Sequence, residues 1–140
     1  MGLAIVLALA ASTAMLGEEI PAAQKQIAAA CEASPALAVK WESFGDDAEG
    51  RAAFAKAGLG FLTTAFGEVC KDPALKAEVG KQVRKIVLTQ AYGAADPIIY
   101  LSKGALYVEY MWAPGEAGPD ARVVRDEIAS RLRGEEPEAP

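Results

Sequence analysis

Residues 83–113 read VRKIVLTQAYGAADPIIYLSKGALYVEYMWA, and this stretch decides the fold. β-Branched and aromatic residues crowd it, and turn residues divide it into three runs. The runs predict strands over 84–91, 97–101 and 105–112. Gly93 to Pro97 separates the first pair, and Ser102-Lys103-Gly104 the second. The second gap is short enough for a tight hairpin. Side chains of a strand point alternately to its two faces. Leu106, Val108, Tyr110 and Trp112 therefore share one face of the third strand, with Tyr107, Glu109 and Met111 on the other. In the first strand Ile86 and Leu88 oppose Lys85, Val87 and Thr89.

Two registers are open to the second hairpin. A three-residue loop, with Gly104 in the left-handed region, pairs Leu101 with Ala105. A two-residue Lys103-Gly104 loop pairs Leu101 with Leu106 and gathers Ile99, Leu101, Leu106 and Val108. A one-residue slip swaps faces, so the second register, which collects the aliphatics, is the expected one. The turn chemistry argues the other way, because lysine is a poor first residue for a type I′ turn.

Outward from this stretch, the 140-residue chain is long enough for one domain with a real core. Its hydrophobic fraction is 52%, much of it alanine, which favours helices elsewhere. A helix is expected over 20–33, with Pro21 in its first turn and Ser34-Pro35 ending it. Leu37, Val39 and Trp41 alternate with Ala36, Ala38 and Lys40, which fits a short fourth strand, with a helix as the alternative. Ser43-Phe44-Gly45-Asp46 loosely fits a capping box, and Asp46 and Asp47 suit the positive end of a helix dipole. The helix that follows is expected to run to Val69. Phe54, Phe61, Leu62, Ala65, Phe66 and Val69 form its apolar stripe, and Gly58 and Gly60 mark a kink or a close contact. Asp72 and Pro73 begin a short helix to Gln82, with Leu75, Val79 and Val83 inward. Asp120 caps a last helix to Arg133, with Val124, Ile128 and Leu132 along one side.

The apolar run Leu3 to Ala11, followed by small residues to Gly17, reads as a signal peptide over 1–17. No Lys or Arg precedes it, which departs from the usual pattern. A buried helix is the alternative; a membrane anchor would need about 20 apolar residues. Cys31 and Cys70 are the only cysteines and belong to no CxxC motif. In an oxidising compartment such a pair is expected to form a disulfide. The folded domain is expected over 18–133, with 134–140 as a disordered acidic tail.

Composition removes several function classes. Net charge is −5, from 14 basic and 19 acidic residues, and no basic run provides a nucleic-acid footprint. Stable membrane insertion of the mature chain is not expected either. Lys76, Lys81, Arg84 and Lys85 form a small basic cluster, by default a solvated face and otherwise an anion site. Histidine is absent, which excludes Ser-His-Asp and Cys-His catalysis and histidine-ligated zinc. No phosphate loop, dinucleotide fingerprint, nucleophile elbow or EF-hand loop is present. No catalytic, cofactor-binding or metal-ligating residue is therefore assigned. Glu109 would need a second acid for catalysis, and Asp96 is the one loop candidate.

All four tyrosines, Tyr92, Tyr100, Tyr107 and Tyr110, fall within the strand-rich stretch. Tyrosine suits a surface that is apolar along the ring and polar at its tip. Tyr100, Tyr107, Glu109 and Met111 are the candidate interface.

The expected fold is α+β: a small antiparallel meander of three or four strands with helices packed mainly on one face. The expected function is that of an exported, periplasmic or secreted, non-enzymatic protein. It would bind a protein partner or itself through the aromatic sheet face or an edge strand. A carrier of a small apolar ligand, with a pocket lined by Phe61, Phe66 and Tyr110, is the alternative. A carboxylate-dependent hydrolase is third.

Overall fold

A computed structural model describes residues 19–57, 59–93, 96–112 and 119–135. The expected signal peptide and residues 136–140 of the tail lie outside the described residues. Helix α1 covers 19–31, and strand β1 is Ala36–Lys40. Trp41–Phe44 form a 3-10 turn where the alternation had extended the strand through Trp41. Helices α2 (Ala48–Ala57), α3 (Gly60–Val69) and α4 (Pro73–Gln82) follow. Strands β2 (Lys85–Gln90), β3 (Ile98–Ser102) and β4 (Ala105–Tyr110) come next, then helix α5 (Ala121–Leu132).

The class is α+β, but the sheet is mixed rather than an antiparallel meander. Its order is β1-β2-β4-β3, with β2 parallel to both β1 and β4. Only β3 and β4 pair antiparallel. The seven residues from 91 to 97 exceed a tight hairpin, so the chain steps past one strand position before it turns back. That step leaves the place beside β2 for β4. The two strands at the centre then stack Ile86 beside Leu106 and Leu88 beside Val108.

The β3–β4 hairpin takes the two-residue register, with Leu101 opposite Leu106 and Ile99 opposite Val108. Both turn residues have positive φ, Lys103 at 51° and Gly104 at 82°. These are the dihedrals of a type I′ turn. Burial of the aliphatic face outweighs the local reluctance of lysine.

The single long helix expected up to Val69 is two helices. Leu59, itself buried, is the N-cap of α3; Gly58, expected to mark a kink or a close contact, lies outside the described residues. Asp47, not Ser43, caps α2: its Oδ1 accepts the Gly50 N–H at 2.8 Å. Ser43 turns the other way and accepts the Gln90 N–H at 2.9 Å. Asp72 and Asp120 cap α4 and α5 as read, accepting from Ala74 and Arg122. Gly134 (φ 81°) and Glu135 close α5, donating to the carbonyls of Arg131 and Ser130. This is a Schellman cap.

One core holds the elements together. Ile27, Phe54, Leu62, Phe66, Val79, Val124 and Ile128 come from the helices. Leu37, Ile86, Leu88, Ile99, Leu106, Val108 and Tyr110 come from one face of the sheet. Cys31, at the end of α1, is bonded to Cys70, just past α3, with Cα atoms 5.2 Å apart. No helix among the described residues is long and apolar enough to cross a membrane.

Candidate interaction surface

Parity places the other sheet face. Ala36, Ala38 and Lys40 lie on β1 and Lys85, Val87 and Thr89 on β2. Ala105, Tyr107 and Glu109 follow on β4, and Ile98, Tyr100 and Ser102 on β3. Among these, Val87 alone is buried, and it lies outside the main core cluster. Its neighbours across the sheet are Ala38 and Tyr107.

The four candidate interface residues come together here. Tyr100 and Tyr107 are direct cross-strand partners, and their rings stack at 4.8 Å with 11° between planes. Cross-strand aromatic pairs of this kind stabilise a sheet and present a flat apolar surface. The Tyr100 hydroxyl donates to Glu109 Oε1 at 3.3 Å. Burial first, and the Glu109 charge second, push the Tyr100 phenol above the ordinary tyrosine value. Met111 continues the row past β4, and its sulfur accepts the Gly93 N–H at 3.3 Å. Ile98, opposite Glu109, is 45% exposed and completes the patch. Ile98 had not been singled out, although the same parity that buries Ile99 turns it outward.

The sheet's edges are less available than its face. On β1 the Leu37 N–H donates to Gln24 Oε1 of α1 at 2.8 Å. On β3 the Ile99 carbonyl accepts from Arg131 Nη1 of α5 at 3.5 Å. Side chains of flanking helices thus occupy backbone groups that another strand would use.

Other residues of interest are placed elsewhere. Tyr110 is inward and packs on Trp112, as do Phe54 and Phe61. Phe61 and Tyr110 therefore meet another ring, and Phe66 is fully buried, where the carrier reading needs a lined space. Tyr92 is 62% exposed, and its hydroxyl donates to Asp47 Oδ2 at 2.8 Å. The Gly50 N–H and this hydroxyl hold the Asp47 carboxyl below the usual carboxylate range. Glu109 meets the Tyr100 hydroxyl rather than a second acid. Among the described residues no three Cys, Asp or Glu side chains gather as a metal site.

No family model, curated protein or solved structure matches this chain.

Proposed function

We propose that the chain is an exported, non-enzymatic interaction protein that binds a protein partner through the Tyr100–Tyr107–Ile98–Met111 face of its sheet. The stacked tyrosine pair, on the sheet face turned away from the main core cluster, is the observation that carries this reading. Tyrosine gives large contact area with few rotamers to freeze, and is enriched at the energetic centres of interfaces. Glu109 adds a polar group to the centre, and the exposed Lys40 and Lys85 add charge at the rim. The capped edges favour the face over strand addition. The intramolecular disulfide is compatible with an oxidising compartment outside the cytoplasm.

The test is site-specific photo-crosslinking in the native host, with the probe at position 107 and, as a control, at the exposed Arg122 of α5. A discrete adduct at 107 alone, lost in Ile98→Lys, supports the reading, whether the adduct is another protein or a second copy. Equal crosslinking from both positions, or an adduct indifferent to Ile98→Lys, overturns it. Fractionation of the same cells checks export: a protein retained in the cytoplasm with reduced thiols removes that part.

A further inference from the structure

At the opposite end of the sheet from Trp112, an open cleft of about 510 Å³ is lined by Lys81, Gln82, Arg84, Leu101, Lys103 and Gly104. We infer that this cleft is a binding site for a phosphate-type oxyanion.

Three cations from three different segments converge there: Lys81 from the last turn of α4, Arg84 from the link into β2, and Lys103 from the hairpin turn. The parallel pairing of β2 with β4 creates the grouping, because it sets the turn beside Arg84. The Arg84 and Lys85 N–H groups donate to the Gly104 carbonyl at 2.8 and 3.2 Å. Arg84 also runs along the turn: a Cβ on Gly104 would sit 3.4 Å from its Cδ. The guanidinium stem is thereby held against a fixed piece of backbone.

The acid paired with Lys81 is largely engaged. Glu78 lies 3.8 Å from Lys81 Nζ, and its other oxygen accepts from Gln82 Nε2 at 2.7 Å. Gln82 also donates to the Leu132 carbonyl at 2.9 Å, which ties the back of the cleft to α5. Among the described residues, Arg84 and Lys103 enter no ion pair. A chain of net charge −5 thus concentrates two uncommitted cations in one concavity. Guanidinium and ammonium donors around a pocket suit a multiply charged oxyanion, which accepts several charge-assisted hydrogen bonds at once.

Lys103 stands at the first position of the hairpin turn. Its φ of 51° is left-handed, in a turn position where Asn, Asp or Gly is favoured. The register that buries the aliphatic face sets this conformation, and the residue that stands there carries a charged side chain. Here that side chain reaches the cleft.

Two probes separate the sources of such an oxyanion: soluble pyrophosphate, followed by amide chemical shifts, and sedimentation with phosphatidylcholine vesicles with or without phosphatidylglycerol. Saturable shifts confined to Arg84, Lys85 and 101–104 support a free ligand. Retention only on phosphatidylglycerol vesicles supports a lipid headgroup. The absence of both overturns the inference. Lys103→Asn suits the turn better and so keeps the fold, while affinity for the responding probe should fall about tenfold, the loss of one charge-assisted hydrogen bond. Arg84→Met, which keeps the stem, should do the same. Unchanged binding in both variants also overturns the site. The tyrosine face lies elsewhere on the sheet, so Ile98→Lys should leave pyrophosphate or vesicle binding intact.

Discussion

The Gln90 side chain holds both backbone polar groups of Trp112. The Trp112 N–H donates to Gln90 Oε1 at 2.6 Å, and Gln90 Nε2 donates to the Trp112 carbonyl at 2.9 Å. Both residues are buried. The amide acts as one more rung of the ladder beyond the last residues of β2 and β4. Gln90→Leu keeps the bulk and leaves two buried backbone groups without partners. Stability should fall by about 2–4 kcal/mol, read as a lower urea midpoint. A change below about 0.5 kcal/mol, the size expected of an ordinary surface substitution, would show that water takes over both bonds.

That rung also shows what could and could not be read along the chain. Inward Leu106, Val108, Tyr110 and Trp112 follow from alternation alone, because side-chain parity is a local property of a strand. The same parity grouped Tyr107, Glu109 and Met111, and the hairpin register then added Tyr100. Strand partnership is not local. Whether β2 meets β3 or β4 depends on contacts across the whole sheet, and the composition of 83–113 is compatible with either. The cleft was hidden for the same reason: Lys81 and Arg84 were visible as a basic cluster, but only the parallel β2–β4 pairing brings Lys103 to them. Gln90 carried no local signal, since its partner lies 22 residues away.

The Cys31–Cys70 bond closes a 39-residue separation and joins the ends of α1 and α3. The loop-entropy model gives roughly 3–4 kcal/mol for a link of this span. Replacing both cysteines with alanine should lower unfolding stability by about that amount, and reductant should shift the wild-type midpoint in the same direction. If the double variant unfolds at the wild-type midpoint, the cross-link constrains nothing that matters to the unfolded chain.

Ionisation of Tyr100 couples the sheet face to alkaline pH. Its folded pKa is raised, by burial and by the Glu109 charge, so the neutral phenol is the form the fold favours. The corresponding stability is present in full below the unfolded value of about 10. It is lost as pH rises from there through the raised folded value. Tyr100→Phe should flatten this part of the alkaline limb. Glu109→Gln should bring the Tyr100 ionisation back down, seen as an earlier rise in tyrosinate absorbance. Since Tyr92 is also raised, chiefly by its bond to Asp47, the comparison is best made in a Tyr92→Phe background. An unchanged ionisation profile in Glu109→Gln would remove the coupling.

Arg131 is the one buried cation among the described core residues, and it reaches the outer edge of the sheet. Its Nη1 lies 3.5 Å from both the Ile99 carbonyl and Glu127 Oε2, and its buried Nε meets no partner. A buried guanidinium with incomplete hydrogen bonding carries a large desolvation cost, so an apolar residue of similar length is often neutral or stabilising in its place. Arg131→Met should therefore hold or raise the melting temperature. The Ile99 carbonyl, however, loses its donor on the outermost strand, and an uncapped edge pairs readily with another chain. Concentration-dependent association should be stronger in sedimentation of the variant than of the wild type. Should the variant associate no more than the wild type and lose stability instead, Arg131 acts as a structural ion pair with Glu127 rather than as an edge guard.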